Sequence, residues 1–207
     1  TDMTMSLIKR MVLTILLTTT LLVSGCGYNS LQAKDEAVNA AWSEVENQYQ
    51  RRADMMPQLA KIVKSYAKHE RETFEQVTKA RNAATQIHLD AADLTPEKLK
   101  AFEQAQNQVT QALSRLIAVS ERYPDLKANK AFSDLRVALE GTENRIAVAR
   151  NRYIEAVKEY NVLARSFPTN LTGMIFGYKP KENFTVANEA AISNAPKVDF
   201  GVGPGPS

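Results

Sequence analysis

The sequence predicts an all-α protein, an antiparallel four-helix bundle with long helices. Three observations predict it. Glycine and proline, eight of each, concentrate beyond Phe167 and leave the middle of the chain almost free of helix breakers. Apolar residues in that middle recur at steps of three and four, the period of one helix face. The interruptions between apolar series are short, which favours helices folding back on one another within the chain. Composition agrees, since 44% hydrophobic and 24% charged residues are ordinary for one globular core. The formal charge of +3 comes from bases interleaved with acids, so the basic footprint of a nucleic-acid binder is missing.

Taken in order, Lys9-Arg10 lead into the apolar run "MVLTILLTTTLLV", Met11 to Val23. A positive segment followed by a short apolar one has the shape of an export signal. The run falls short of the roughly 20 residues that span a bilayer at 1.5 Å each, so residues 1–25 are expected to be cleaved off. Cys26 is the only cysteine, which rules out an internal disulfide.

Helical patterning begins at Tyr28. Leu31, Val38, Trp42, Val45, Tyr49 and Met56 form a seam with a period near 3.5. Pro57 is expected to break that helix and open a second, faced by Leu59, Ile62, Val63, Tyr66, Phe74, Val77, Ala84 and Ile87. Thr95-Pro96-Glu97 reads as an N-cap followed by proline at the first helical position, so a third helix starts there and ends at Pro124. The fourth helix is the most regular. Phe132, Leu135, Leu139, Thr142, Ile146, Ala149, Tyr153, Ala156, Tyr160, Leu163 and Phe167 alternate steps of three and four, a rod of about 54 Å. Beyond it, Met174, Ile175, Phe176, Tyr178 and Phe184 are expected to pack on the bundle end. The domain is placed at 28–186 and a flexible tail at 187–207.

"LVSGC", Leu22 to Cys26, resembles the lipobox of bacterial lipoproteins, with an aliphatic residue, two small residues and then the cysteine. That resemblance implies a thiol alkylated with diacylglycerol, cleavage before Cys26 and a membrane anchor through lipid at 26–27. Two or three acyl chains anchor stably where one does not. An aspartate after the cysteine usually retains such lipoproteins in the inner membrane. Gly27 therefore implies the outer membrane, facing the periplasm, if the organism has two.

The body is similar to the LemA family on a combination of motifs: Tyr28-Asn29, Ala41-Trp42, Arg51-Arg52, Asp54 to Pro57, Tyr66-Ala67 and His69-Glu70. "YPDLKANKAFSDLRVALEGTENRIAVARNRYIEAVKEYN" and "FPTN" agree with the family's C-terminal helix. The likeness covers about Tyr28 to Phe184, with an echo at "APKVDF". It implies a helical bundle tethered to a bacterial membrane, no established catalysis, and a possible partner among membrane proteins of the TPM-domain type. Two departures stand out: Ile154 where the family usually has Asn, and a lipobox where it usually has an uncleaved helix.

His69 and His88, the only histidines, have no His or Cys neighbours at metal-ligand spacing, and no Gly-rich phosphate loop precedes a helix. No cofactor or metal is expected. The charged motif residues Arg51, Arg52, Asp54, His69, Glu70 and Arg81 are candidates for a polar network, with Arg52 and Glu70 extrapolating onto apolar seams. Inward charges of this kind fix helix register or line a groove. The expected function is therefore a non-enzymatic, lipid-anchored envelope protein that binds or scaffolds partners. The competing expectation is a ligand-binding protein or hydrolase with its site around Arg52, Asp54, His69 and Glu70.

Overall fold

A computed structural model describes the chain from residue 2 to 184, with side chains described for 9–14 and 27–184. The side chain of Cys26 and the tail at 187–207 lie outside the described residues. Among the described residues the fold is all-helical, with no strand. The elements are α1 (Asp2–Tyr66), α2 (Arg71–Thr85), α3 (Pro96–Val119), a 3₁₀ turn (Ser120–Arg122), α4 (Pro124–Lys127), α5 (Lys130–Arg165) and α6 (Thr169–Phe176). Among the described residues no helix is long and apolar enough to cross a membrane.

α1 is the spine against which α2, α3, α5 and α6 pack. Its seam, Val38, Trp42, Val45, Tyr49, Met56, Leu59 and Val63, is buried throughout. α5 runs antiparallel to it, because Lys34 pairs with Glu159 while Arg52, further along α1, pairs with Glu143. α2 and α3 make an antiparallel hairpin in which Arg115 donates to Gln76.

Pro57 does not end the first helix. α1 passes through it to Tyr66, and the chain turns only at residues 67–70, so Leu59, Ile62, Val63 and Tyr66 belong to α1 rather than to a second helix. A proline in a helix interior loses one backbone bond and crowds the carbonyl four residues back. Here Met56, Leu59 and Val63 continue the seam into the core on both sides of it, and their burial outweighs that local cost. The turn itself is held from outside α1: Asn129 Nδ2 donates to Tyr66 Oη at 2.9 Å, and Arg122 pairs with Glu70 at 2.5 Å.

The other starts follow local chemistry. Thr95 Oγ1 accepts from Lys98 N at 3.3 Å with Pro96 opening α3, and Asn129 Oδ1 accepts from Phe132 N at 3.0 Å to open α5. Between α2 and α3, the chain at Leu89 is clamped by α1, its carbonyl accepting from Trp42 Nε1 at 2.6 Å and its N–H donating to Glu46 at 3.2 Å.

α6 packs by its small residues. Thr169, Thr172 and Gly173 are buried against α1, and a Cβ built on Gly27 would stand 3.2 Å from Thr172 Oγ1. The opposite face is exposed, which corrects the expectation for three residues: Met174 is 79%, Ile175 78% and Phe176 58% accessible. Gly177, at φ 77°, adopts the left-handed cap that only glycine takes freely, and Tyr178 N bonds back to Gly173 O at 2.9 Å. Residues 178–184 then return along α5 as a strap. Tyr160 Oη donates to Lys179 O, Tyr153 Oη to Glu182 O, and Asn161 exchanges two bonds with the Lys181 backbone. Phe184 ends the strap buried against Trp42 and Tyr153, along the side of α5 rather than on the expected bundle end.

Replacing Pro57 with alanine is expected to keep α1 intact and raise unfolding stability by up to about 3 kcal/mol, the cost of proline in a helix interior. Thermal melting of Pro57→Ala measures it, and a lower melting point would contradict the account of α1.

Candidate functional site

The apolar core falls into two clusters. One gathers Met56, Leu59, Val63, Val109, Leu113, Leu116 and Leu139 with the helix ends near residues 67 and 126. The other gathers Trp42, Val45, Tyr49, Phe102, Ile146, Tyr153 and Phe184. Between them every long helix around the seam contributes a polar side chain at the same level. On α1, Arg52 occupies the seam position between Val45 and Leu59. On α3, Gln106 sits between Phe102 and Val109, and on α5, Thr142 sits between Leu139 and Ile146. All three are buried.

Arg52 answers its charge from two helices at once. Nη1 donates to Glu143 Oε1 of α5 at 3.0 Å and to Thr110 Oγ1 of α3 at 3.1 Å. Nη2 donates to Gln106 Oε1 at 2.7 Å and to the Gln106 carbonyl at 3.0 Å. Its guanidinium carbon stands 5.0 Å from the centre of the Tyr49 ring.

One level along, Arg150 of α5 repeats the arrangement in the other direction. Nη1 donates to Tyr49 Oη at 2.9 Å, Nη2 to Glu103 Oε1 of α3 at 3.0 Å, and the guanidinium lies 3.8 Å from the Phe184 ring centre. Tyr49 thus touches both arginines, by its ring face and by its hydroxyl. Each arginine keeps one buried Nε–H without a partner. Charge-assisted bonds to carboxylates and a planar fork suit arginine to such a place, where lysine offers a point charge.

Of the six residues expected to form a polar network, Arg52 alone enters this layer. Arg51 is exposed. Asp54 is exposed on another face of α1, where it accepts from Gln50 Nε2 at 2.9 Å. His69 is exposed at the α1–α2 turn, and Glu70 is the residue before α2, half-buried beside Arg122 rather than on an apolar seam. Arg81 is half-buried on α2, with a buried Nε that finds no partner. The expected network of six is therefore not assembled, because its members sit on different faces of α1 and α2 and at the turn between them. Sequence reading missed Arg150, Glu103, Gln106 and Glu143. Gln106 could have been found, since it fills a seam step of α3. The two carboxylates lie beside seams and carried no such signal.

Two cavities are relevant. A groove of about 710 Å³ at the α1–α2 corner is lined by Lys64, Lys68, Arg71 and Lys79, with Glu75 and Phe74. A smaller cavity of about 220 Å³ between α1, α2 and α3 is lined by Glu46, Tyr49, His88, Phe102 and Gln106 among others. Neither brings Arg52, Asp54, His69 and Glu70 together. Among the described residues no group of three His, Cys, Asp or Glu side chains could hold a metal ion.

Burial with nearby Glu182 pushes the Tyr153 hydroxyl well above the ordinary tyrosine value, and burial with nearby Asp35 pushes Tyr160 up to about 12. Both stay protonated near neutrality and remain donors to the strap.

These features define an all-helical protein whose long helices are tied across the core by paired arginines. The LemA family profile matches residues 41–200, and the chain belongs to the LemA family. The chain is also similar to magnetosome proteins MamQ 1 and MamQ 2 of Paramagnetospirillum magneticum, each 28% identical over 174 residues, covering 76% of this chain and 64% of theirs. It is 26% identical to magnetosome protein MamQ of Magnetospirillum gryphiswaldense over the same shares. The chain thus spans somewhat less than two thirds of the length of these relatives.

Glu103 has a side chain 12% exposed and Glu143 one 43% exposed, so water can replace the guanidinium for the second but hardly for the first. Arg150→Met is therefore expected to cost about 3–5 kcal/mol, the range for breaking a buried pair. Arg52→Met should cost less, about 1–3 kcal/mol, mainly from the stranded Gln106 acceptors. Denaturant unfolding ranks the two, and adding Glu103→Met to Arg150→Met should recover part of the loss. The reverse ranking would contradict the assignment.

Proposed function

We propose that this LemA-family chain is a lipid-anchored, non-enzymatic protein of the bacterial envelope, attached through Cys26. In this reading its body is an antiparallel bundle of α1, α2, α3 and α5 that binds or scaffolds membrane or periplasmic partners. The observation that carries this reading is the join between anchor and body. "LVSGC" has the form of a lipobox, and the very next residue, Gly27, already lies against Thr169 and Thr172 of α6. A lipid on Cys26 would hold the folded body at the bilayer surface without a linker. The apolar run at 11–23 is removed in this account, and Gly27 in place of aspartate directs the protein to an outer membrane where there is one.

The scaffolding part rests on the long helical faces and on the scatter of Arg52, Asp54, His69 and Glu70, which form no common site. Membrane proteins of the TPM-domain type are the partner class that the family resemblance implies.

Metabolic labelling with palmitate, comparing wild type with Cys26→Ala, tests the anchor. Label in the wild type and none in the variant is expected; an unlabelled wild type refutes lipidation. Crosslinking in intact membranes tests the rest, and failure to recover any reproducible partner would contradict the scaffolding role.

A further inference from the structure

α6 is amphipathic in the wrong sense for a helix on a water-soluble body. Its buried face is made of Thr169, Thr172 and Gly173, whereas its outward face carries Leu171, Met174 and Ile175, at the i, i+3 and i+4 spacing of one stripe. Phe167, in the turn before Pro168 and 80% accessible, and Phe176, at 58%, add exposed apolar side chains at the two ends of α6. Several large exposed apolar side chains gathered on one short helix mark a binding surface for protein or lipid. Elsewhere in the described residues the large exposed apolar side chains of the body, such as Val137, Val148 and Val162, are scattered singly along α5.

The position of α6 decides which partner fits. Thr169 and Thr172 contact α1 at Gly27, the Tyr28 ring stands 4.7 Å from the Phe176 ring, and the stretch of α1 just before them in sequence is the apolar run ending at Val23 and the anchor residue Cys26. The patch is therefore level with the point where the chain meets the bilayer. Arg165, the last residue of α5, and Lys179, just beyond α6, are both exposed and flank the patch with positive charge suited to anionic headgroups.

We propose that α6 is a membrane-interfacial foot: Phe167, Leu171, Met174 and Ile175 insert among the lipids beside the anchor. The proposal rests on the membrane attachment at Cys26 put forward above, and adds a second contact that fixes the orientation of the bundle. An anchor at one point leaves the body free to tilt; a second apolar contact on α6 holds it to one angle with the α1–α2 corner directed away from the membrane. Val137, near the start of α5, lies about 42 Å along that helix from its α6 end and stays out of the lipid.

The test uses the full chain, purified from membranes and reconstituted into phosphatidylethanolamine–phosphatidylglycerol vesicles that contain lipids brominated near the top of the acyl chains. Two variants each add one indole, Met174→Trp and Val137→Trp. The native Trp42 is buried and bonded to Leu89, so it contributes the same background to both. Both positions are exposed, so both variants are expected to keep the wild-type helical circular dichroism. Flotation of the vesicles with bound protein, together with emission of Met174→Trp quenched at least about twofold more than that of Val137→Trp, supports the foot. Flotation with equal quenching overturns the foot and leaves the anchor standing, as it would if a second copy or another protein covered the patch. Protein that does not float overturns both.

Discussion

A positive charge in the apolar seam of a helix has to be answered inside the protein, and Arg52 is answered from α3 and α5 together. That constraint organises the rest. Along much of the seams leucine, valine and alanine recur at the same steps, so these aliphatic contacts by themselves discriminate weakly between the registers open to the helices. They cannot slide without tearing the guanidinium from Glu143, Gln106 and Thr110. Arg150 imposes the same condition from α5, through Glu103 and Tyr49. Because Tyr49 contacts both arginines, the two conditions are satisfied by one register. The layer also divides the hydrophobic core, so each cluster is a short packed segment with a polar floor.

Once that register is set, the ends follow. α1 and α5 are aligned so that Tyr153, Tyr160 and Asn161 present their polar groups to the strap, and the strap brings Phe184 back over Arg150. The strap in turn holds the end of α6, whose threonines press on Gly27 while its Gly173 lies beside Leu31 and the Ala164 carbonyl. The arginine layer near the middle of the bundle and the small-residue contact between α6 and the start of the body are thus parts of one chain of positioning. It runs from the inward charges to the seat of α6 on α1.

Much of this was legible in the sequence because it rests on periodicity and local capping. The seams of α1 and α3, that of α5 as far as Leu163, the Thr95-Pro96 start and the inward position of Arg52 follow from spacing, whereas Phe167, at the next step of the α5 pattern, lies past the helix end and is exposed. What was not legible depends on tertiary contacts. Pro57 has the local chemistry of a break, yet the core on both sides of it carries the helix through. Met174, Ile175 and Phe176 are apolar, and apolarity alone cannot say whether a face looks into the protein or out of it. Arg150 and its carboxylate partners sit beside their seams, and only the packed arrangement pairs them. Glu70 and Arg81 were grouped with Arg52 by motif, although the turn at 67–70 sends them elsewhere.

The central claim is that the arginine layer selects one register. Its most direct test is a variant in which the layer is apolar throughout, Arg52→Met, Glu103→Leu, Gln106→Leu, Glu143→Leu and Arg150→Met, studied by methyl spectra of isotope-labelled isoleucines. Ile146 and Ile154 on α5 report on the level of the layer and on the cluster beyond it. A helical variant with several sets of signals for these residues, where the wild type shows one, is the predicted result. A single set at wild-type positions would mean that apolar packing alone fixes the alignment, and would contradict the account.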